Sequence, residues 1–132
     1  MPSLANITVK KNDTTTDIIW TGVAASAGDK SPAIWRSATV GSAPAYQPSL
    51  QMTSRPNGSG SARRVDVVIY YPYTTVGSDG KTYLAEKAIF TGSQVCPLGM
   101  PSADFNEAIS QGMNLLASAL VKDCLKAGFS AT

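Results

Sequence analysis

The chain has 132 residues, 43% of them hydrophobic and 15% charged, with 11 Lys and Arg against 9 Asp and Glu, two Cys and no His. A chain of this length can bury roughly two thirds of its unfolded surface, enough for one domain with a core and too little for two. Without His there is no imidazole base, no hydrolase triad and no commonest metal ligand. The nine carboxylates form no readable pair and no phosphate-cradling glycine motif is present, so neither an enzyme nor a metal or cofactor is expected. The shortfall in charge is filled by Ser, Thr, Ala, Gly and Pro, a composition suited to surfaces hidden against copies of the same chain.

Residues 5 to 23 hold two β-rich runs, Asn6 to Lys10 and Asp17 to Thr21, around the turn chemistry of Asn12, Asp13 and Thr14, which predicts a hairpin. Gly22 to Pro32 has no periodicity and reads as a loop, leading to a short strand over Ala33 to Ala38 with Trp35 in the core. Residues 33–97 then make the sheet. Tyr46 to Arg55 alternates: Gln47, Ser49, Gln51, Thr53 and Arg55 share a polar face, and Tyr46, Pro48, Leu50, Met52 and Ser54 the other. Pro56 to Ser61 reads as a turn. Arg64 to Tyr73 is the densest β-run, with Val65, Val67, Ile69 and Tyr71 on one face and Arg64, Asp66, Val68 and Tyr70 on the other. Thr74 to Thr82 reads as a loop too long for a tight hairpin, and Tyr83 to Val95 as the returning strand.

Pro97 ends that strand, and helical sequence covers 102–127. Ser102 reads as its N-cap, with Asp104 and Glu107 in the first turns. Phe105, Ile109, Met113, Leu116, Leu120 and Cys124 then recur at three to four residues, Lys122 and Lys126 lie near the end, and Gly128 is a stop. The pattern predicts one amphipathic helix, with candidate breaks near Gly112 or after Leu120. Strands first and helix last give an α+β fold, an antiparallel meander with helix against a sheet. The apolar stripe suits the chain's own sheet or, across a twofold axis, the sheet of a second subunit.

Between Asp29 and Asp66 there is no acidic residue, yet Lys30, Arg36, Arg55, Arg63 and Arg64 lie there, including every Arg of the chain. On adjacent strands, Arg55 and Arg64 would flank one turn beside Gln47, Ser49, Gln51 and Thr53, phosphate-seeking cations next to neutral groups able to read base edges. Exposed strands are ordinarily polar, and from composition alone a plain solvated face is the commoner meaning of this pattern. Tyr70 could stack a base, though tyrosine in a strand more often packs. Cys96 and Cys124, far apart and without a CxxC, read as thiols in a reducing compartment rather than as a bridge. No basic segment followed by an apolar core opens the chain, and no apolar run approaches the ~20 residues that span a bilayer. The expectation is a protein made and kept in the cytoplasm, without a membrane partner, with Met1 removed ahead of Pro2.

The order of parts, with Ala33-Ile34-Trp35 on an early strand, Ala45-Tyr46 opening the polar-faced strand, Tyr71-Pro72, Thr75-Val76-Gly77 in the loop and Cys96-Pro97 closing the last strand, resembles the coat proteins of single-stranded RNA bacteriophages, the levivirus type. The likeness covers nearly the whole chain as layout and scattered residues. It implies a homodimer sharing one sheet, each subunit's helices over its partner's sheet, and dimers closing into an icosahedral shell, a virion assembled in the cytoplasm of a bacterial host around viral RNA. The inner sheet face would bind an RNA hairpin, packaging the genome and repressing translation. Carried over by position, that face comprises Gln47, Ser49, Gln51, Thr53, Arg55, Arg64, Asp66, Val68 and Tyr70. Lys87, Ile89, Thr91 and Ser93 join it from the last strand, whose weak alternation leaves its face open. The family's lysine positions fall here on Gln47 and Val68. Thr75, Val76, Gly77, Ser78, Asp79 and Gly80 would form the loop that meets its counterparts around symmetry axes, the glycines allowing more than one conformation; a plain mobile hairpin tip has the same sequence signature. Two other readings stay in play: a non-assembling, sheet-based RNA-binding regulator, disfavoured by the lack of a Gly-aromatic RNA motif, and a secreted adhesin, disfavoured by the lack of a signal segment.

Overall fold

The computed structural model describes residues 2–38 and 43–132; Met1, with its expected removal, lies outside them. Six strands, β1 (Ile7–Lys10), β2 (Asp17–Ala24), β3 (Pro32–Arg36), β4 (Ser49–Asn57), β5 (Ala62–Val76) and β6 (Thr82–Pro97), precede two helices, α1 (Ser102–Leu116) and α2 (Ala119–Ala127). The chain divides into two compact units, one running to Val95 and one from Cys96 to Thr132. The α+β class and the meander expected from the sequence are present.

The first unit is one antiparallel sheet in the order β1-β2-β3-β4-β5-β6, each strand beside its neighbour in sequence. The β1–β2 turn closes because Asp13 Oδ1 accepts the backbone N–H groups of Thr15 (3.0 Å) and Thr16 (2.9 Å), while the Thr16 hydroxyl donates to Oδ2 (2.6 Å). That arrangement is the Asx turn that Asp favours, and it holds the Asp13 carboxyl at about 2, the Thr16 hydroxyl contributing most. The hairpin is continuous with the rest of the sheet through β2, which reaches Ala24 and carries a bulge between Gly22 and Ala24 where it pairs with β3.

The pleat sorts one face apolar: Trp35 lies opposite Leu50, Leu50 opposite Ile69, and Ile7 opposite Trp20. Trp35 is the buried hydrophobic centre, 9% exposed, and its indole N–H donates to the Ala5 carbonyl (2.8 Å), pinning the N-terminal segment to the sheet. Gly22, opposite Trp35, admits that segment: a Cβ there would lie 2.8 Å from Leu4 Cγ.

The structure corrects several boundaries. β4 starts at Ser49, not Tyr46, because Pro44–Tyr46 forms a 3-10 turn and Pro48, buried and lacking an N–H, follows it. Gln47 therefore precedes the strand, its N–H donating back to the Pro44 carbonyl (3.3 Å). Pro56 belongs to β4, opposite Arg63, so the turn begins after Asn57. The long loop expected over 74–82 is instead a five-residue turn, 77–81, because β5 continues through Thr75 and Val76. Gly77 N–H donates to the Lys81 carbonyl (2.8 Å), Gly80 N–H to the Gly77 carbonyl (3.0 Å), and Gly80 sits at φ 78, where a glycine avoids the Cβ penalty.

In the second unit the helical sequence, open in the sequence to one helix or two, forms two. The break falls at Ala117 and Ser118, between the two candidate sites, where Ser118 turns extended (φ −66, ψ 153) and its hydroxyl donates to the Leu115 carbonyl (2.6 Å). Pro101, not Ser102, is the N-cap of α1, Ser102 being already helical. Gly128 ends α2 in the left-handed conformation (φ 78), donating to the Cys124 carbonyl (2.9 Å). Phe105, Ile109, Val121 and Cys124 are half-buried, whereas Met113, Leu115, Leu116, Leu120 and Leu125 are exposed. Cys96 and Cys124 are free thiols.

Candidate nucleic-acid interface

Antiparallel register fixes which side chains share the face opposite Trp35. Ser49 lies opposite Tyr70, Gln51 opposite Val68, Thr53 opposite Asp66 and Arg55 opposite Arg64, so the residues predicted on β4 and β5 share one face. From β3, Arg36 opposite Ser49, Ile34 opposite Gln51 and Pro32 opposite Thr53 extend the same surface. Side-chain contacts settle the face of β6. Arg64 Nη2 donates to Ser93 Oγ (2.8 Å), and Lys87 Nζ lies 5.5 Å from the centroid of the Tyr70 ring. Strand alternation then places Ile89 and Thr91 with Ser93 and Lys87. Gln47, though outside the strand, lines a hollow with Ser49 and Tyr70.

Arg55 and Arg64, like charges directly opposite, would repel were it not for Asp66. Its Oδ2 accepts from Arg55 Nε (3.1 Å), and its Oδ1 accepts from Arg64 Nε (2.7 Å) and from the Ser93 hydroxyl (2.6 Å). These bonds hold the Asp66 carboxyl at about 2, Ser93 contributing most and Arg64 next, so it is ionised at any ordinary pH. Both arginines meet Asp66 through Nε alone, which leaves terminal guanidinium N–H groups for a further acceptor such as a phosphate oxygen. Asp66 thereby aligns two cations. A shallow hollow beside Arg64, Asp66, Thr91 and Ser93 shows that this network borders open space.

Among the described residues of β3 to β6, this face carries Arg36, Arg55, Arg64 and Lys87 against the one carboxylate of Asp66. Arg63 is elsewhere: it lies opposite Pro56 on the other face and pairs with Asp29. Lys30 sits in the turn before β3 at φ 66, its N–H donating to the Ser54 carbonyl (2.8 Å). The basic zone of the sequence is thus split between the two faces. Arg36 was absent from the carried-over set, yet its place was readable: in a strand, the neighbour of a buried Trp35 faces the opposite way.

The turn residues Gly77 to Gly80 lie together at the β5–β6 tip. Asp79 Oδ1 accepts from Lys81 N–H (3.0 Å), and Oδ2 accepts from the Tyr83 hydroxyl (2.6 Å), which lowers the Asp79 carboxyl and raises the Tyr83 phenol. The Tyr46 hydroxyl donates to the Thr82 carbonyl (3.1 Å), tying the 3-10 turn to the start of β6. Among the described residues no three His, Cys, Asp or Glu side chains gather as metal ligands, and no helix is long and apolar enough to cross a membrane.

Comparison with solved structures gives full-length matches to RNA phage particles. The subunit of the virus-like particle of Beihai levi-like virus 21 superposes with a TM-score of 0.82 at 17% identity, covering 99% of each chain. That of bacteriophage NT-214 gives 0.81 at 16% identity, covering 99% of this chain and 100% of its own. The capsid protein of bacteriophage GA gives 0.73 at 15% identity over 95% of each. No family model and no curated protein matches the sequence. The chain has the coat-protein fold that its sequence resembles.

Proposed function

We propose that the chain is the coat protein of a single-stranded RNA phage: a structural, non-enzymatic subunit that dimerises, closes into an icosahedral shell and packages RNA. The observation that carries this is the full-length fold match, at 99% of both chains, to a subunit of an assembled virus-like particle. The whole chain acts as one coat-protein domain, and its place is the virion, assembled in the host cytoplasm.

A second copy accounts for the apolar residues a single chain leaves exposed. Leu116, Leu120 and Leu125 on the helices, and Val9 and Tyr71 on the Trp35 face of the sheet, are each more than two fifths exposed. Clusters of this kind mark surfaces that a partner covers. In the dimer two sheets join into one and each subunit's helices lie on its partner's sheet. The β5–β6 tip, Thr75 to Gly80, meets its counterparts around the symmetry axes.

The face opposite Trp35 turns toward the RNA. Arg55, Arg64 and Lys87 engage phosphates, Asp66 positions the two arginines, and Gln47, Ser49, Gln51, Thr53, Tyr70 and Thr91 supply neutral polar and aromatic contacts to bases and sugars. Four cations per subunit are a weak site alone, but a closed shell repeats them many times over one RNA, and avidity replaces single-site affinity. Binding of a hairpin on this face would make the same dimer a translational repressor.

Expression in bacteria, sedimentation, negative-stain microscopy and the ultraviolet absorbance ratio of the pellet test the proposal. Uniform spherical particles carrying nuclease-protected RNA are expected. A soluble monomer or dimer without particles would overturn the coat assignment and leave the sheet-based RNA-binding regulator in its place.

A further inference from the structure

Of the asparagines in the chain only Asn57 is followed by a glycine; Asn6, Asn12, Asn106 and Asn114 precede Ile7, Asp13, Glu107 and Leu115. Glycine, without a Cβ, presents the least hindered backbone nitrogen to the side-chain amide before it. Asn57 closes β4 opposite Ala62, and Gly58 opens the turn at φ 59. The Gly60 N–H holds this turn by donating to the Asn57 carbonyl (3.3 Å), a bond that engages neither the Asn57 side chain nor the Gly58 N–H. Among the described residues these two groups have no hydrogen-bond partner.

The β5–β6 turn holds the corresponding aspartate pair, Asp79–Gly80, and there the fold ties both ends. The Asp79 carboxyl accepts from the Lys81 N–H and the Tyr83 hydroxyl, which keeps it ionised and therefore a poor electrophile. The Gly80 N–H is committed to the Gly77 carbonyl (3.0 Å). At Asn57 the side chain is a neutral amide and the nitrogen that could attack it is free. Two turns with the same local chemistry in sequence thus differ in what the structure leaves available to react.

We propose that Asn57 is a site of spontaneous deamidation. Hydroxide takes the Gly58 amide proton, the nitrogen attacks Asn57 Cγ, and the new C–N bond closes a succinimide ring. The Cγ–Nδ2 bond breaks and ammonia leaves, taking a proton from water. A second water opens the ring at either carbonyl, giving aspartate or isoaspartate; nothing is oxidised or reduced. A carboxylate then stands where a neutral amide stood. Alternation puts Asn57 on the same face as Arg55, and across the ladder it lies diagonal to Arg64. Asp66 meets both arginines through Nε, so terminal guanidinium N–H groups are open to the new carboxylate. The net charge of this face falls by one. The consequence for RNA rests on the face proposed above: the grip on phosphates at Arg55 and Arg64 weakens as the protein ages.

The test incubates the full-length protein at mildly alkaline pH, folded and in urea, and follows each asparagine by peptide mass mapping. Folded wild type should convert Asn57 about tenfold faster than any other asparagine, at a rate close to that in urea, into a mixture of aspartate and isoaspartate. Asp79–Gly80 should isomerise in urea and be protected in the folded protein. Asn57→Gln, whose amide lies one carbon too far out for the succinimide ring, should abolish the conversion and bind RNA as wild type does. Equally slow conversion of all asparagines in the folded protein, or protection of Asn57 by folding as strong as that of Asp79, would overturn the site. Asn57→Asp should flatten the salt dependence of RNA binding by about 0.7 in log–log slope, one phosphate contact. An unchanged slope there, with a flattened one when Arg55 and Arg64 are both replaced by Ala, would overturn the consequence for RNA. Unchanged slopes in both variants would overturn the RNA face itself.

Discussion

Replacing Arg55 and Arg64 together by Ala removes two of the four cations on the proposed RNA face and leaves the apolar face untouched, since both side chains point away from Trp35. If Arg36, Arg55, Arg64 and Lys87 each neutralise one phosphate of a single strand, log affinity falls with log salt with a slope of about −2.8 per subunit, and the double variant's slope is about −1.4. Between 50 and 200 mM salt the wild type should then lose about 50-fold in affinity and the variant about 7-fold. The substitution also strips the Asp66 carboxylate of both cationic partners, adding repulsion that the slope does not contain. A third variant that adds Asp66→Asn separates the two effects, recovering affinity without recovering slope. Filter binding of disassembled subunits to a single-stranded RNA across a salt series measures the slopes, and the absorbance ratio of reassembled particles measures packaged RNA. Particles should still form, with less RNA. An unchanged slope, or loss of particles with RNA affinity intact, would refute the assignment of this face to RNA.

Trp35→Ala should cost roughly 3–5 kcal/mol in urea unfolding, as large aromatic truncations in a core do, and Trp35→Phe about 1 kcal/mol for the lost bond to the Ala5 carbonyl; equal small losses would show that Trp35 is not the centre of the sheet's apolar face. Asp66, held at about 2 against an ordinary 3.8, contributes stability that is complete above about pH 4 and is lost as the pH falls toward 2. Unfolding midpoints should decline over that window in wild type and more shallowly in Asp66→Asn, and parallel declines would refute the bridging role. At the β5–β6 tip, a Cβ on Gly77 would meet Asp79 Oδ1 and Tyr83 Cε2, each at 2.8 Å, whereas one on Gly80 would meet open space but a left-handed backbone. Gly77→Ala should therefore break the Asp79–Tyr83 bond, seen as a Tyr83 phenol titrating nearer its ordinary value, and Gly80→Ala should cost about 1–2 kcal/mol with that titration unchanged.

Alternation made most of the face readable. Val67 and Ile69 against Asp66, Val68 and Tyr70 fixed β5, and a register one residue off would have turned every one of these side chains over. The stretch from Ser49 to Arg55 followed the same logic. The β6 face was not readable, because Leu84, Ala85, Ala88, Ile89 and Phe90 put apolar residues on both sides, and only the contacts of Ser93 and Lys87 decide it. Prolines misled in both directions. Pro48 falls in the alternating run but delays the strand, while Pro56 carries turn chemistry but lies within β4. The position of the helix break, at Ser118 and not at Gly112 or after Leu120, is hidden because Leu116 and Leu120 keep a helical spacing across it; the signal available is a Ser followed by Ala, Leu and Val, a fresh helix start. The Asp66 network was invisible for a different reason: charge counting in sequence treats Arg55, Arg64 and Asp66 as separate, and only pairing β4 with β5 brings one carboxylate between two guanidinium groups.

The strictly sequential strand order bears on how fast the molecule comes into being. Since each strand pairs with the one made just before it, no sheet contact waits for a distant segment, and loop-closure entropy is met in short steps. Pairing between sequence neighbours keeps these separations shorter than crossover connections would, which favours faster folding than a sheet with crossovers. During translation the hairpins can close one after another as they leave the ribosome, and the helices, which follow the sheet in the chain, emerge after all six strands. If the chain is the coat subunit proposed above, such stepwise pairing would let each subunit be ready for assembly soon after its synthesis.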